Sequence, residues 1–170
     1  MSDNQNSMDV KGFFDTDTNT ISYVVTDKKT AICAVIDSVL DLDYASGNIK
    51  YENVDKIVDF ITENHLKLEW LVETHVHADH LSAAPYIQQK LGGRIAISKE
   101  IVHVQKIFGK IFNAGTEFER DGSQFDLLLN DGDSYSIGNL QAKAIHTPGH
   151  TPACMAHMIE DCVFVGDTLF

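Results

Sequence analysis

The sequence predicts an α/β (α+β) fold, with strands interleaved with helices around one core, and three observations predict it. Short runs rich in β-branched and aromatic residues recur between turn formers along the chain. Two longer stretches, from Val54 and from Val104, carry apolar residues at helical spacing. Three predicted strands end in histidine or aspartate beside a Gly, Pro or Thr, which is how a rigid sheet presents polar groups at its rim. The chain has 170 residues, 44% of them hydrophobic, enough for one domain with a real core. No repeat, linker or low-complexity segment divides it. The polar, acidic start is expected to be a flexible tail over 1–12, leaving one domain over 13–170.

Taken in order, 21–26 and 31–36 read as two strands joined by the polar turn Asp27-Lys28-Lys29-Thr30. The stretch 37–50 is rich in Asp, Ser, Gly and Asn and reads as loop. Val54, Ile57, Val58 and Ile61 then mark an amphipathic helix, with His65 placed to complement its C-terminal end. Residues 68–73, with Trp70 and Val72, read as a strand. A helix over 82–91 follows, with Ser82 as N-cap, Pro85 in its first turn and Gly92-Gly93 as terminator. Residues 94–97 are a short strand. Val104, Ile107, Phe108 and Ile111 predict the apolar face of a second long helix, with His103 on its outer side. After an irregular stretch over 113–122 come strands over 125–129, 134–137, 140–145, 153–159 and 162–165.

The balance of charge is acidic, at −12. A general nucleic-acid or anionic-membrane binder needs a basic face, so neither partner is expected. A bound cation would still supply local positive charge for an anionic substrate. Arg94 and Arg120 are the only arginines, which leaves few candidates for a bidentate carboxylate clamp. Three cysteines, Cys33, Cys154 and Cys162, do not form a secreted disulfide framework. Cys33 and Cys154 read as buried small hydrophobes. No run is long and apolar enough to span a bilayer, and the N-terminus resembles neither a signal nor a transit peptide. A cytoplasmic protein is expected, and a homo-oligomer is compatible with the reading.

The chemistry centres on Thr74-His75-Val76-His77-Ala78-Asp79-His80. On an extended chain His75 and His77 point to one side, and Asp79 and His80 follow where the chain must turn. A charged surface loop is the bland alternative, but clustered His and Asp suit a metal site better than any packing role. His150, in Thr147-Pro148-Gly149-His150-Thr151, would alone pass for a loop histidine. Asp167, after Gly166, would alone pass for a turn former. Together with the first cluster they make His75, His77, Asp79, His80, His150 and Asp167 the candidate metal ligands. Imidazole and carboxylate without thiolate suit Zn(II), Fe(II) or Mn(II). Two histidines and one carboxylate with open positions is the arrangement of non-haem Fe(II) oxygenases. A shared set holding two ions would make a binuclear hydrolase. Spacing leaves both open.

The three motifs, in this order, are similar to the signature of the metallo-β-lactamase superfamily, whose fold is an αββα sandwich with metal at the edge of two sheets. The resemblance runs from about Phe13 to Phe170. Glu73 to Tyr86 looks most like the persulfide dioxygenases. Asp37-Ser38-Val39-Leu40-Asp41 and Thr151-Pro152-Ala153-Cys154 narrow it to their bacterial β-lactamase hydrolase-like branch. The resemblance implies a single Fe(II) held by the catalytic residues His75, His150 and Asp167, with His77, Asp79 and His80 around them. In the hydrolase branches the same positions complete a zinc pair. It implies a small thiol persulfide, glutathione persulfide in the family, oxidised with O2 to sulfite and free thiol. It does not give the substrate-binding residues in this chain. Related enzymes continue past Phe170, so the C-terminal part of the fold is expected to be missing, with Cys162–Val165 left as an unpaired edge. His157 departs from the aromatic residue common at its position and reads as a packed histidine. Two rivals stand beside the dioxygenase: a zinc thioester hydrolase like glyoxalase II, and a non-catalytic module that binds metal or sulfur species.

Overall fold

The structure is a computed structural model and describes residues 7–78 and 80–169. Strand β1 (Met8–Phe14) pairs antiparallel with β2 (Ile21–Asp27), and β2 with β3 (Ile32–Ile36). Residues 8–12, expected in a flexible tail, are therefore part of the sheet. The strand is mostly exposed, and it is held by backbone pairing to β2 and by burial of Met8 in the core. Residues 1–6 of the expected tail lie outside the described residues. The stretch 37–50, expected as loop, contains β4 (Val39–Asp43) and β5 (Asn48–Lys50), which pair with each other. Asp43 caps the turn between them by accepting the Ala45 and Ser46 amides. Turn chemistry dominates this segment, and it hid two short strands.

Helix α1 (Glu52–Glu63) buries Val54, Ile57, Val58 and Ile61, the stripe that its spacing predicts. It ends in a Schellman turn: Leu66 N–H donates to Ile61 C=O and His65 N–H to Thr62 C=O, with His65 at φ 53°. His65 thus closes the helix with its backbone. Strand β6 (Lys67–Val72) lies parallel to β3. The short β7 (Leu81–Ser82) pairs with β4. Helix α2 (Ala84–Leu91) starts two residues later than expected, yet Ser82 Oγ still accepts its first amide, from Ala84 at 3.1 Å. Strand β8 (Arg94–Ser98) is parallel to β6, and β9 (Leu127–Leu129) to β8.

Helix α3 (Ile101–Ile111) departs from its predicted orientation. Its buried positions are Ile101, Val104, Gln105 and Gly109, whereas Ile107, Phe108 and Ile111 are at least half exposed. Arg120 explains part of the rotation. Its guanidinium lies where a Cβ at Gly109 would sit and donates to Gly109 C=O and Ala114 C=O.

The antiparallel sheet of β10 (Ser134–Ile137), β11 (Leu140–His146), β12 (Met155–Ile159) and β13 (Cys162–Phe164) forms the second layer. The first sheet runs in the order β1-β2-β3-β6-β8-β9. Val25, Ala34, Ile36, Trp70 and Val72 of the first sheet pack on Ile137, Leu140, Ala144, Met155 and Ile159 of the second. Trp70 Nε1 donates to Ser136 C=O at 2.9 Å across this interface. The other face of the first sheet carries Val24, Cys33 and Val35, covered by α1 and α2. Gln141, Lys143, Met158 and Val163 stand exposed on the outer side of the second sheet. All three cysteines are free. Among the described residues no helix is long and apolar enough to cross a membrane.

Candidate metal centre

Three chain segments meet where the two sheets come together at one edge. The first leaves β6 at Glu73. There the sheet ladder continues by single bonds, Asp37 N–H to Val72 C=O and Glu73 N–H to Ala96 C=O, before the chain breaks into the histidine loop. The second is the 147–154 loop between β11 and β12, folded on itself by Thr147 N–H to Cys154 C=O and Cys154 N–H to Thr151 C=O. Cys154 Sγ lies 3.1 Å from both the Thr151 amide and the Thr151 hydroxyl, so it braces this loop from a buried position. The third is a single 3-10 turn, Gly166–Thr168, that follows β13. Thr147 and Thr168 share a 2.9 Å hydroxyl hydrogen bond that ties the second segment to the third. Met155 N–H donates to Thr74 C=O and ties the second to the first.

These segments bring His75, His150 and Asp167 together. His150 Nε2 is 3.4 Å and His75 Nε2 3.7 Å from Asp167 Oδ2. One ligand atom from each lies within 4.8 Å of the others. Two atoms each about 2 Å from one ion lie at most about 4 Å apart, and both distances to Asp167 Oδ2 are within that span.

The surroundings prepare His75 for this role. Asp37 Oδ1 accepts the Thr74 amide and Asp37 Oδ2 the Thr74 hydroxyl, each at 2.8 Å. With its proton committed to Asp37, the Thr74 oxygen accepts from His75 Nδ1 at 3.0 Å. Nδ1 therefore carries the ring proton, and Nε2 presents its lone pair. Nε2 is buried and has no hydrogen-bond partner, a state that costs about 1–3 kcal/mol unless something fills it. Burial, and then the charge of His77, lower the His75 pKa to about 4, so the ring is neutral at pH 7. An orphaned, neutral, oriented imidazole beside a second imidazole and a carboxylate fits a metal ion. Gly166 makes the approach possible: at φ 50° it sits so close that a Cβ would overlap the Thr74 hydroxyl.

The remaining predicted ligands are placed differently. The His77 ring lies beside that of His75, with centroids 4.0 Å apart, but its Nε2 is directed to other partners. Its Nε2 faces Asp37 Oδ1 and Glu73 Oε2, each at 3.2 Å. Burial would lower its pKa, but the hydrogen bond to Asp37 and the charges of Asp37 and Glu73 prevail and raise it to about 10. Burial raises Glu73. Asp37, despite its burial, is lowered by its bonds to His77 and Thr74. His80 is buried and stacks on His77 with ring centroids 4.2 Å apart; its Nδ1 bonds Leu81 C=O and its Nε2 has no partner. Asp79 lies outside the described residues. Asp37, Glu73 and Thr74 were not singled out as site residues from sequence. The available signal was their position, since Glu73 and Thr74 end the strand that delivers His75, and Asp37 ends the strand beside it.

A cavity of about 730 Å³ opens beside the centre. Tyr23, Ile36, Cys162 and Phe164 give it apolar walls, and Asp37, His77 and Asp167 line its inner end. Neither arginine is among its lining residues. Arg94 stacks 3.8 Å from the Trp70 ring centroid, and Arg120 is bonded to backbone near α3.

Comparison with known proteins places the chain in a family. A "Probable metallo-hydrolase" of Burkholderia pseudomallei is 50% identical over 96% of this chain and 59% of its own length. A "Beta-lactamase hydrolase-like protein" of Agrobacterium fabrum is 44% identical over 95% of this chain and 37% of its own. The human mitochondrial persulfide dioxygenase ETHE1 is 28% identical over 88% of this chain and 48% of its own. The crystal structure of ETHE1 from Myxococcus xanthus superposes with a TM-score of 0.72 at 25% identity, over 95% of this chain and 58% of that one. The chain thus spans roughly 37–59% of the length of these relatives. Residues 15–170 match the family profile itself, and the mixed α/β layers carry its fold: the chain belongs to the metallo-beta-lactamase superfamily.

Proposed function

We propose that His75, His150 and Asp167 hold a single Fe(II) at which a low-molecular-weight persulfide, glutathione persulfide or a close analogue, is oxidised by O2 to sulfite and the free thiol. The balanced reaction is RSSH + O2 + H2O giving RSH, sulfite and two protons. The observation that carries this reading is the composition of the cluster: two imidazoles and one carboxylate converge, while His77 is turned to other partners. Two histidines and one carboxylate leave positions open for two reactants, as non-haem iron oxygenases require. The likeness to the human persulfide dioxygenase supports the substrate class.

The iron, when bound, would supply a site for both O2 and the terminal sulfur and a path for the electrons that pass from the sulfur to O2. The chain's own residues supply the rest. Thr74 and Asp37 fix the His75 ring so that no reorientation accompanies each turnover. Asp167, with its side chain about one-third exposed, faces the cavity and brings negative charge to the ion. The apolar walls of the cavity suit a polarisable sulfur. Protein purified without oxygen should contain about one iron per chain, consume O2 only when a persulfide is added, and release sulfite. Zinc at the site with no O2 uptake would refute the proposal.

A zinc thioester hydrolase is the second reading. The buried, unpartnered Nε2 of His80 favours it, as a spare ligand for another ion. Hydrolysis of S-lactoylglutathione by zinc-loaded protein would select it. Metal binding with turnover of neither substrate would leave a binding module.

A further inference from the structure

Among the described residues a second side-chain cluster adjoins the first. Asp37 and Glu73 approach the His77 ring together, each with one oxygen 3.2 Å from Nε2, and all three side chains are no more than 8% exposed. Both carboxylates are anchored. Asp37 is held by the Thr74 amide and hydroxyl. Glu73 Oε1 accepts the Ser82 hydroxyl at 2.6 Å, and Ser82 is itself fixed by the first amide of α2. No hydrogen bond reaches Glu73 Oε2, the oxygen aimed at His77. Yet the His77 ring is within range of the first cluster, with its centroid 4.0 Å from that of His75. A ring so placed is a ready fourth ligand unless something holds its nitrogen elsewhere.

We infer that Glu73, together with Asp37, holds His77 away from the ion and so fixes the number of protein ligands at three. Glu73 is a positioning residue, acting through His77. Three protein ligands leave room for two reactants, whereas a fourth imidazole moves the site toward the closed tetrahedral geometry of zinc. The buried glutamate would therefore decide between open, iron-type and closed, zinc-type coordination. Only the ligand set His75, His150 and Asp167 is carried over from the proposed function.

The test is zinc affinity of metal-stripped protein, measured by competition with a chromophoric chelator. His77→Ala should leave the tightest site within about threefold of wild type. Glu73→Ala should tighten it by about tenfold or more, the scale at which groups around a metal act. The double variant Glu73→Ala/His77→Ala should return to the wild-type value, a reversal that mere loosening of the loop would not produce. Ser82→Ala, which frees Glu73 without altering either carboxylate, should shift affinity in the same direction, and it serves if Glu73→Ala does not fold. Loss of about tenfold or more in His77→Ala would make His77 a ligand and overturn the inference. So would an unchanged Glu73→Ala, or an equal gain in the double variant. A second zinc equivalent lost in both Glu73→Ala and His77→Ala would overturn it too, by making Asp37, Glu73 and His77 an ion site of their own. Persulfide turnover enters none of these readings, so failure of the dioxygenase proposal and failure of this one are separable.

Discussion

Thr74 stands between a buried carboxylate and a metal-facing imidazole, and its hydroxyl does what neither neighbour can do alone. It passes the fixed position of Asp37 on to the tautomer of His75. Thr74→Val keeps the shape and removes the relay, leaving Asp37 Oδ2 and His75 Nδ1 without their shared partner. Metal affinity should fall about 10–100-fold, and Thr74→Ser should restore most of it. Competition titration of the two variants checks this. His157 illustrates a different buried histidine. It is fully buried in β12, bonded through Nδ1 to the Tyr135 hydroxyl at 3.1 Å, and its pKa is lowered by burial to about 4. In the unfolded chain the ring takes a proton near pH 6.5, while in the folded chain it resists until about 4. Stability from this group is therefore present above about pH 6.5 and lost as pH falls through the window toward 4. The loss is of order 3 kcal/mol. His157→Phe should flatten that part of the acid-denaturation profile of metal-free protein, as read by urea midpoints between pH 7 and 4.

At the level of the element, hydrophobic spacing was a dependable guide wherever a helix lies flat on a sheet, and it failed where one does not. Helix α1 buries the four residues its periodicity names. Helix α3 offers two apolar stripes, and the fold buries the one through Ile101 and Val104, against Ile97 and Ala153. Spacing alone cannot rank two stripes, because the choice depends on what the sheet presents. Ile107→Lys with Phe108→Gln should change stability by less than about 0.5 kcal/mol, as exposed substitutions do. Ile137→Ala, at the centre of the sandwich, should cost about 2–5 kcal/mol. Urea denaturation of the two proteins distinguishes the positions. Strand β1 taught the same lesson in reverse. Its apolar residues do not single out one buried face, and β2 presents a row of backbone groups for it to pair.

For the molecule as a whole, the proposed ion and the acidic charge would act against each other. A −12 chain repels an anionic persulfide at long range, and a bound cation attracts it at short range. Raising ionic strength from about 0.01 M to about 0.15 M shortens the Debye length from ~30 Å to ~8 Å and screens the distant repulsion first. The kcat/KM for an anionic persulfide should therefore rise with salt over this range, and that for a neutral analogue should not. The ion also links segments far apart in the chain. Ligand binding to the folded state alone stabilises it by about 2.7 kcal/mol at one hundred times Kd, so chelation should lower the melting temperature and metal should restore it.

The sequence by itself determined which atoms are available for chemistry. Clustered imidazoles after an apolar strand, a histidine between turn formers and an aspartate after glycine have few uses besides binding a cation, and their order carries the family likeness. Strand and helix positions were legible for the same reason, that local periodicity is written in the chain. What only the tertiary structure decided is which of those atoms face one another. His75 and His77 are two residues apart, and spacing treats them alike; only the family resemblance sets His75 with His150 and Asp167. The fold gives one to His150 and Asp167 and the other to Asp37 and Glu73. That division rests on where β3 and β6 end side by side and on Gly166, which without a Cβ can press against Thr74. Apart from the His77–Glu73 pair, four residues apart, these placements are long-range, set by packing between segments roughly forty to ninety residues apart, and no local pattern encodes them.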